Sequence, residues 1–219
     1  MKIGIIKERK NPPDRRVVFT PEILVKALQT FDTLEAVVEP SPIRIFPDQA
    51  YADKNIPLSD DLSDCDVLIG VKEVPVEDLI PNKTYFFFSH TIKEQEYNRA
   101  ILQTCLAKNI RLIDHETLVD ENNKRLIGFG RYAGIVGAYN TLRAFGLKYE
   151  LFTLKKAEHM LHTEDLIAQL KKQYFPPIKI AVTGNGKVSH GIMEILNGMK
   201  AKKVSIEHFL TQKYDIPVY

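Results

Sequence analysis

The sequence predicts an α/β chain whose N-terminal part is built on a largely parallel sheet. Two observations predict it. Short, nearly continuous apolar runs ("KIGII", "DVLIGV", "TYFFF") alternate with stretches of helical periodicity, and strands apolar on both faces belong in a sheet covered by helices on both sides. Further along, a glycine turn separates one apolar run from a helix and a second apolar run, which is the order of a βαβ unit.

The elements follow in order. "KIGII" (2–6) reads as a strand. "TPEILVKALQTF" (20–31) reads as a helix, with Thr20 as N-cap, Pro21 at the first helical position and Glu22 facing the positive end of the dipole. "EAVVEP", "DVLIGVKEV" (66–74) and "KTYFFFSH" are the next strands. "EQEYNRAILQTCLAKN" (94–109) is helical, with Tyr97, Ile101 and Cys105 on one face. "IRLIDHETLVD" and "RLIGFG" are further strand candidates. These elements make residues 1–130 one expected domain. The proline-free "YAGIVGAYNTLRAFGLKYEL" (132–151) is a long helix leading into a second region, 131–219. There "TEDLIAQLKKQY" (163–174) is a helix capped by Thr163, and the prolines of "FPPI" end it by imposing extended backbone. "KIAVTGNGKVSHGIMEILNGMKAKKVSIEHF" then reads strand, turn, helix, strand.

Composition removes several function classes. Of 219 residues, 44% are hydrophobic and 26% charged, as in an ordinary globular chain. A formal charge of +2, with both signs interspersed, supplies no electrostatic footprint for nucleic acid or an anionic membrane. No apolar run approaches the roughly 20 residues of a membrane span. The N-terminus meets charges before any signal-peptide core forms. Cys65 and Cys105 are isolated, which fits inert core thiols in a reducing, cytoplasmic setting.

"TGNGKVSHG" places Gly184 and Gly186 between "KIAVT" and a helix. A turn that tight needs residues without Cβ, and the helix N-terminus behind it suits a pyrophosphate. Ser189 stands where many dinucleotide folds keep a third glycine. Glu207 lies beyond it, at the expected end of the next strand, where a carboxylate reaches a ribose hydroxyl. The pattern predicts a Rossmann-type dinucleotide-binding region. A P-loop is excluded, because Ala181 and Val188 occupy its required glycine and hydroxyl positions. "GFGRYAG" (128–134) has no strand ending in an acid after it, so its glycines read as sites of close backbone packing at a domain junction. "HMLH" sets His159 and His162 one helical turn apart without a third ligand nearby in sequence, so no metal site is expected.

Lys72 closes one apolar strand and His90 closes the next. On parallel neighbours both emerge at the carboxyl edge, where open α/β sheets bind ligands, and such a pair can exchange protons with a substrate near neutral pH. The plainer alternative is that Lys72 reaches solvent and His90 caps a helix.

In order along the chain stand "KERKNPPDRRVVFTP", "GVKEVP", "FFFSHTIKEQE", "RLIDHETLVDENNKRLIGFGRYAGIVG" and "VTGNGKVSHG". Together they resemble the alanine dehydrogenase/transhydrogenase superfamily, with the nearest likeness to its lysine-forming saccharopine dehydrogenase branch, over residues 2 to about 207. The resemblance implies an amino-acid dehydrogenase in which an N-terminal α/β substrate domain is followed by a dinucleotide-binding domain using NAD or NADP. It implies a catalytic pair Lys72 and His90, tuned by Glu116, and a substrate-carboxylate arginine at Arg16. It also implies a cofactor site of Gly184, Gly186, Ser189 and Glu207. The expected partner is a small amino acid or oxoacid, and a homo-oligomer is compatible with it. From Ile178 onward the chain holds barely one of the two halves of a dinucleotide fold. The expectation is therefore an incomplete Rossmann-type domain and a chain inactive by itself. The alternative is a catalytically silent amino-acid or nucleotide binding module.

Overall fold

The computed structural model describes residues 1–219, which divide into two compact units, Met1–Gly128 and Phe129–Tyr219. The first unit runs β1 (Lys2–Ile5), α1 (Pro21–Thr30), β2 (Glu35–Val38), α2 (Asp48–Ala52), β3 (Val67–Lys72), β4 (Thr84–Phe88), α3 (Arg99–Ala107) and β5 (Arg111–Asp114). Its five strands form one sheet in the order β2-β1-β3-β4-β5, and every pairing is parallel.

The two-residue period of the strands sorts their side chains onto two apolar layers. Val37, Leu68, Tyr85 and Phe87 pack with Ile101 and Cys105 of α3 on one face. Ile3, Ile5, Ala36 and Val38 pack with Leu24 of α1 and Tyr51 of α2 on the other. Helix α1 begins as its sequence requires, the Thr20 hydroxyl accepting from the Ile23 N–H at 3.3 Å. Both cysteines are buried and unpaired, and burial pushes the Cys65 thiol up to about 11, which keeps it a protonated core group.

Two expectations for this unit need correction. Helix α3 starts at Arg99 rather than 94, because Glu94 has a left-handed backbone (φ 53°) and the residues after it form a 3-10 turn. Tyr97 consequently points away from the Ile101–Cys105 face and is exposed. "RLIGFG" is not a strand: Arg125 makes a single antiparallel bridge to Val119, and the residues around it are turns.

The second unit contains α4 (Gly130–Lys148), α5 (Thr163–Lys171), α6 (Lys187–Gly198) and α7 (Ile206–Thr211). His162, not Thr163, is the N-cap of α5, and its N–H donates to Asp165 at 3.0 Å. His159 ends a separate 3-10 turn, so the two histidines do not share a helical turn. The expected strands of "KIAVT" and "KKVSI" reduce to single bridges, Lys179 and Lys202 each pairing with Val218. A ladder needs a partner of matching length, and here the intervening segment is Pro217–Tyr219, opened by a residue without an N–H. Glu207, expected at a strand end, lies instead in the first turn of α7, capped by Ser205.

Helices α4 and α6 touch backbone to backbone. A Cβ on Gly134 would stand 2.0 Å from the Val188 carbonyl oxygen, and one on Gly191 would stand 2.0 Å from that of Arg131. Around this crossing Ile135, Tyr139 and Leu142 of α4 pack with Ile195 of α6 and Leu166 and Leu170 of α5. We expect Gly191→Ala to destabilise the second unit by about 3 kcal/mol or more, because backbone oxygens at that distance cannot step aside. Gly137→Ala, on the same α4 where nothing lies within 4 Å, should instead stabilise by roughly 0.5–1 kcal/mol through helix propensity. Thermal melts of the two variants check the contrast, and equal shifts would refute it.

Candidate active site

Parallel pairing sends all strand ends of the first unit the same way, so the residues just after β1, β3, β4 and β5 gather at one edge. Lys72 ends β3. Between Ile69 and Lys72 the register to β4 shifts, so Lys72 rather than Val71 lies opposite Phe88. The Glu8 carboxylate, just beyond β1, accepts from the N–H groups of Val71 (2.7 Å) and Lys72 (2.8 Å). Burial raises the Glu8 pKa above the usual carboxylate value in spite of those two bonds.

Arg16 does not stand alone. Its Nε donates to both oxygens of Asp14 (2.9 and 3.2 Å), and its Nη2 reaches Oδ2 at 2.5 Å. The Arg16 guanidinium, with a smaller contribution from Lys72, holds Asp14 below the ordinary carboxylate range. Asp14 and Arg16 line one small cavity with Glu8, the acid that accepts from the Lys72 N–H at the end of β3.

His90 and Glu116 form the second group. Glu116 sits in a 3-10 turn directly after β5, with a side chain only 6% exposed. His90 Nδ1 lies 3.0 Å from its Oε2, while Arg125 and Lys93 pair with Oε1 at 2.9 and 3.4 Å. The hydrogen bond to His90, aided by Lys93 and Arg125, lowers the Glu116 pKa and keeps the group ionised. An ionised carboxylate only accepts, so Nδ1 carries the ring proton and Nε2 bears the lone pair. Lys93 Nζ stands 3.1 Å from Nδ1 because both donors converge on the same carboxylate. His90 has a left-handed backbone (φ 56°), uncommon for a residue with a Cβ. Its carbonyl accepts from the buried Asn98 side chain (3.2 Å) and from the Lys93 N–H (3.0 Å), and its ring stacks on Phe88.

The glycine turn fits half of what a dinucleotide needs. Gly184 has φ +83°, and a Cβ on Gly184 or Gly186 would point into open space at the start of α6, leaving backbone exposed for a pyrophosphate. Ser189 is buried, and its hydroxyl donates back to the Gly186 carbonyl at 2.8 Å, which closes the turn. The tight interhelical contact falls at Gly191 instead. Glu207, on α7, is not at a strand end where a ribose would lie.

Glu8, Asp14, Lys93, Arg125 and the buried His115 escaped sequence reasoning. Glu8 was legible in principle, since it follows a strand end in "KERKNPPDRR", whereas Asp14 lies farther along the loop. Lys93 and Arg125 lie in turns whose course no periodicity reports.

A parallel α/β domain with a lysine, a His–Glu pair and an Arg–Asp pair at its strand ends belongs to the class that handles small molecules at the carboxyl edge. Residues 4–136 match the family described as Alanine dehydrogenase/PNT, N-terminal domain, and the chain belongs to that family. It is 32% identical to alpha-aminoadipic semialdehyde synthase of Arabidopsis thaliana, over 88% of this chain and 20% of that protein. It is 33% identical to Saccharopine dehydrogenase [NAD(+), L-lysine-forming] of Yarrowia lipolytica, over 61% of this chain and 37% of that protein. Among solved structures an L-alanine dehydrogenase shares the fold, with a TM-score of 0.63 at 15% identity over 100% of this chain and 60% of that one. The chain thus spans about a fifth to two fifths of the length of these two relatives and 60% of the solved chain. No helix is long and apolar enough to cross a membrane.

The cations around Glu116 give a pH prediction. Its folded pKa lies below the unfolded value, so the unfolded state binds more protons in between, and the stabilisation is present above the usual carboxylate range and lost as pH falls through the folded pKa. Denaturant unfolding from pH 7 to pH 3 should show wild type losing its advantage over Glu116→Gln on the acid side. A gap that stays constant with pH would contradict this assignment.

Proposed function

We propose that this chain is the substrate-side part of an NAD(P)-dependent amino-acid dehydrogenase of the lysine-forming saccharopine dehydrogenase type. The observation that carries the reading is the contact between His90 Nδ1 and ionised Glu116. It turns Nε2 into a proton acceptor and stabilises the imidazolium formed when a proton arrives. Lys72 is the second proton-handling group, serving the nitrogen as the imine or carbinolamine between amine and oxoacid forms and collapses. Asp14 orients Arg16, whose planar guanidinium recognises the substrate carboxylate. NAD or NADP, when bound, exchanges hydride with the amine-bearing carbon, and Gly184 and Gly186 would hold its pyrophosphate. The relatives' names, one specifying NAD(+) and L-lysine, favour lysine with 2-oxoglutarate over ammonia with pyruvate. A silent binding module is the second reading, favoured by the position of Glu207 on a helix.

NAD(P)H oxidation by the complete reading frame that contains this chain, assayed with each amine and oxoacid pair, tests the proposal. Lys72→Met and His90→Gln should each lower turnover by roughly 10²–10⁴-fold, the scale of lost acid–base help. Near-normal turnover in both variants would overturn the catalytic roles.

A further inference from the structure

His115 follows β5 and is 5% exposed, yet it belongs to neither charged group. Its Nε2 lies 3.0 Å from the Gly70 carbonyl, and its Nδ1 is buried with no hydrogen-bond partner. A carbonyl only accepts, so Nε2 carries the proton and the orphaned Nδ1 bears the lone pair. The ring reaches across β4, against Phe86 and Phe88, to β3, a strand with which β5 does not pair. An apolar side chain would fill that space between aromatic rings without leaving a nitrogen unsatisfied. A polar ring there is explained by the one bond it makes.

That bond falls at the register shift of β3. Bulges withdraw backbone groups from the ladder, and those groups need other partners. Two side chains supply them here: Glu8 accepts from the N–H groups of Val71 and Lys72, and His115 donates to the carbonyl of Gly70. In regular register Val71 would lie opposite Phe88. Lys72 would move one place on, and a one-residue slip sends a side chain to the opposite face of a sheet.

We propose that His115 is a positioning residue: with Glu8 as its counterpart, it holds the bulge at Gly70–Lys72 and thereby fixes the face from which Lys72 leaves the sheet. This rests on the reading of Lys72 as a working group, and the test below reads its placement without any turnover, so the two can fail separately.

The experiment compares the 219-residue chain with His115→Leu, which removes the donor, and His115→Gln, which keeps an N–H at a similar reach. His115→Phe replaces the leucine variant should that one fail to fold. Amide hydrogen exchange is followed residue by residue. Acetylation of Lys72 by acetic anhydride is measured relative to exposed Lys213 in the same sample. Donor loss should speed exchange at Val71 and Lys72 by roughly five- to tenfold, the factor one net hydrogen bond supplies, with Leu68 and Tyr85 unaffected. The Lys72 acetylation ratio should change in the same variant, and His115→Gln should restore both. Uniform acceleration along β3 and β4, unchanged exchange at Val71 and Lys72, or an unchanged acetylation ratio would overturn the proposal, leaving His115 a packing residue.

Discussion

Glu116 is a carboxylate removed from water, and what surrounds it decides what His90 can do. A buried acid is tolerated when cations and donors replace its hydration. Here His90 and Lys93, from the turn after β4, and Arg125, from a second turn, do so. Because the acid is held ionised, the imidazole is held in one tautomer, and its remaining nitrogen is the one that can take a proton. Which nitrogen of His90 carries the proton depends on that single contact more than on the intrinsic properties of the histidine.

The same logic governs the neighbouring strand ends. A parallel sheet delivers side chains to one edge but does not choose the face from which each leaves. The shift in β3 makes that choice for Lys72, and the backbone groups it displaces are taken up by Glu8 and His115. Asp14 binds Arg16 through a two-pronged contact. Arg16, His90, Lys93 and Arg125 at this edge each pair with a carboxylate, Asp14 or Glu116.

Much of the first unit was legible in the sequence, for physical reasons. Runs such as "TYFFFSH" are too apolar for anything but a covered strand, and the polar residues ending them had to emerge at the edge. That reasoning reaches Lys72 and His90, and the family resemblance adds Glu116, which the structure brings against His90. The salt bridge between Arg16 and Asp14 was not legible, because it depends on how the loop after β1 folds. In the second unit, "KIAVT" and "KKVSI" carry a strand pattern, but pattern alone does not supply a ladder, and each makes one bridge to Val218. Glu207 was misplaced for the same reason: a serine cap at Ser205 turns the segment into a helix before the acid is reached.

The tautomer of His90 is the most direct test of this mechanism. Long-range nitrogen–proton correlation spectra of the uniformly ¹⁵N-labelled protein, at a pH where the ring is neutral, distinguish the protonated ring nitrogen from the bare one. The result predicted is a proton on Nδ1, with reversion to a mixture of tautomers in Glu116→Gln. A His90 ring protonated on Nε2 in the wild-type chain would contradict it, because Glu116 would then not be the group that sets the ring's proton.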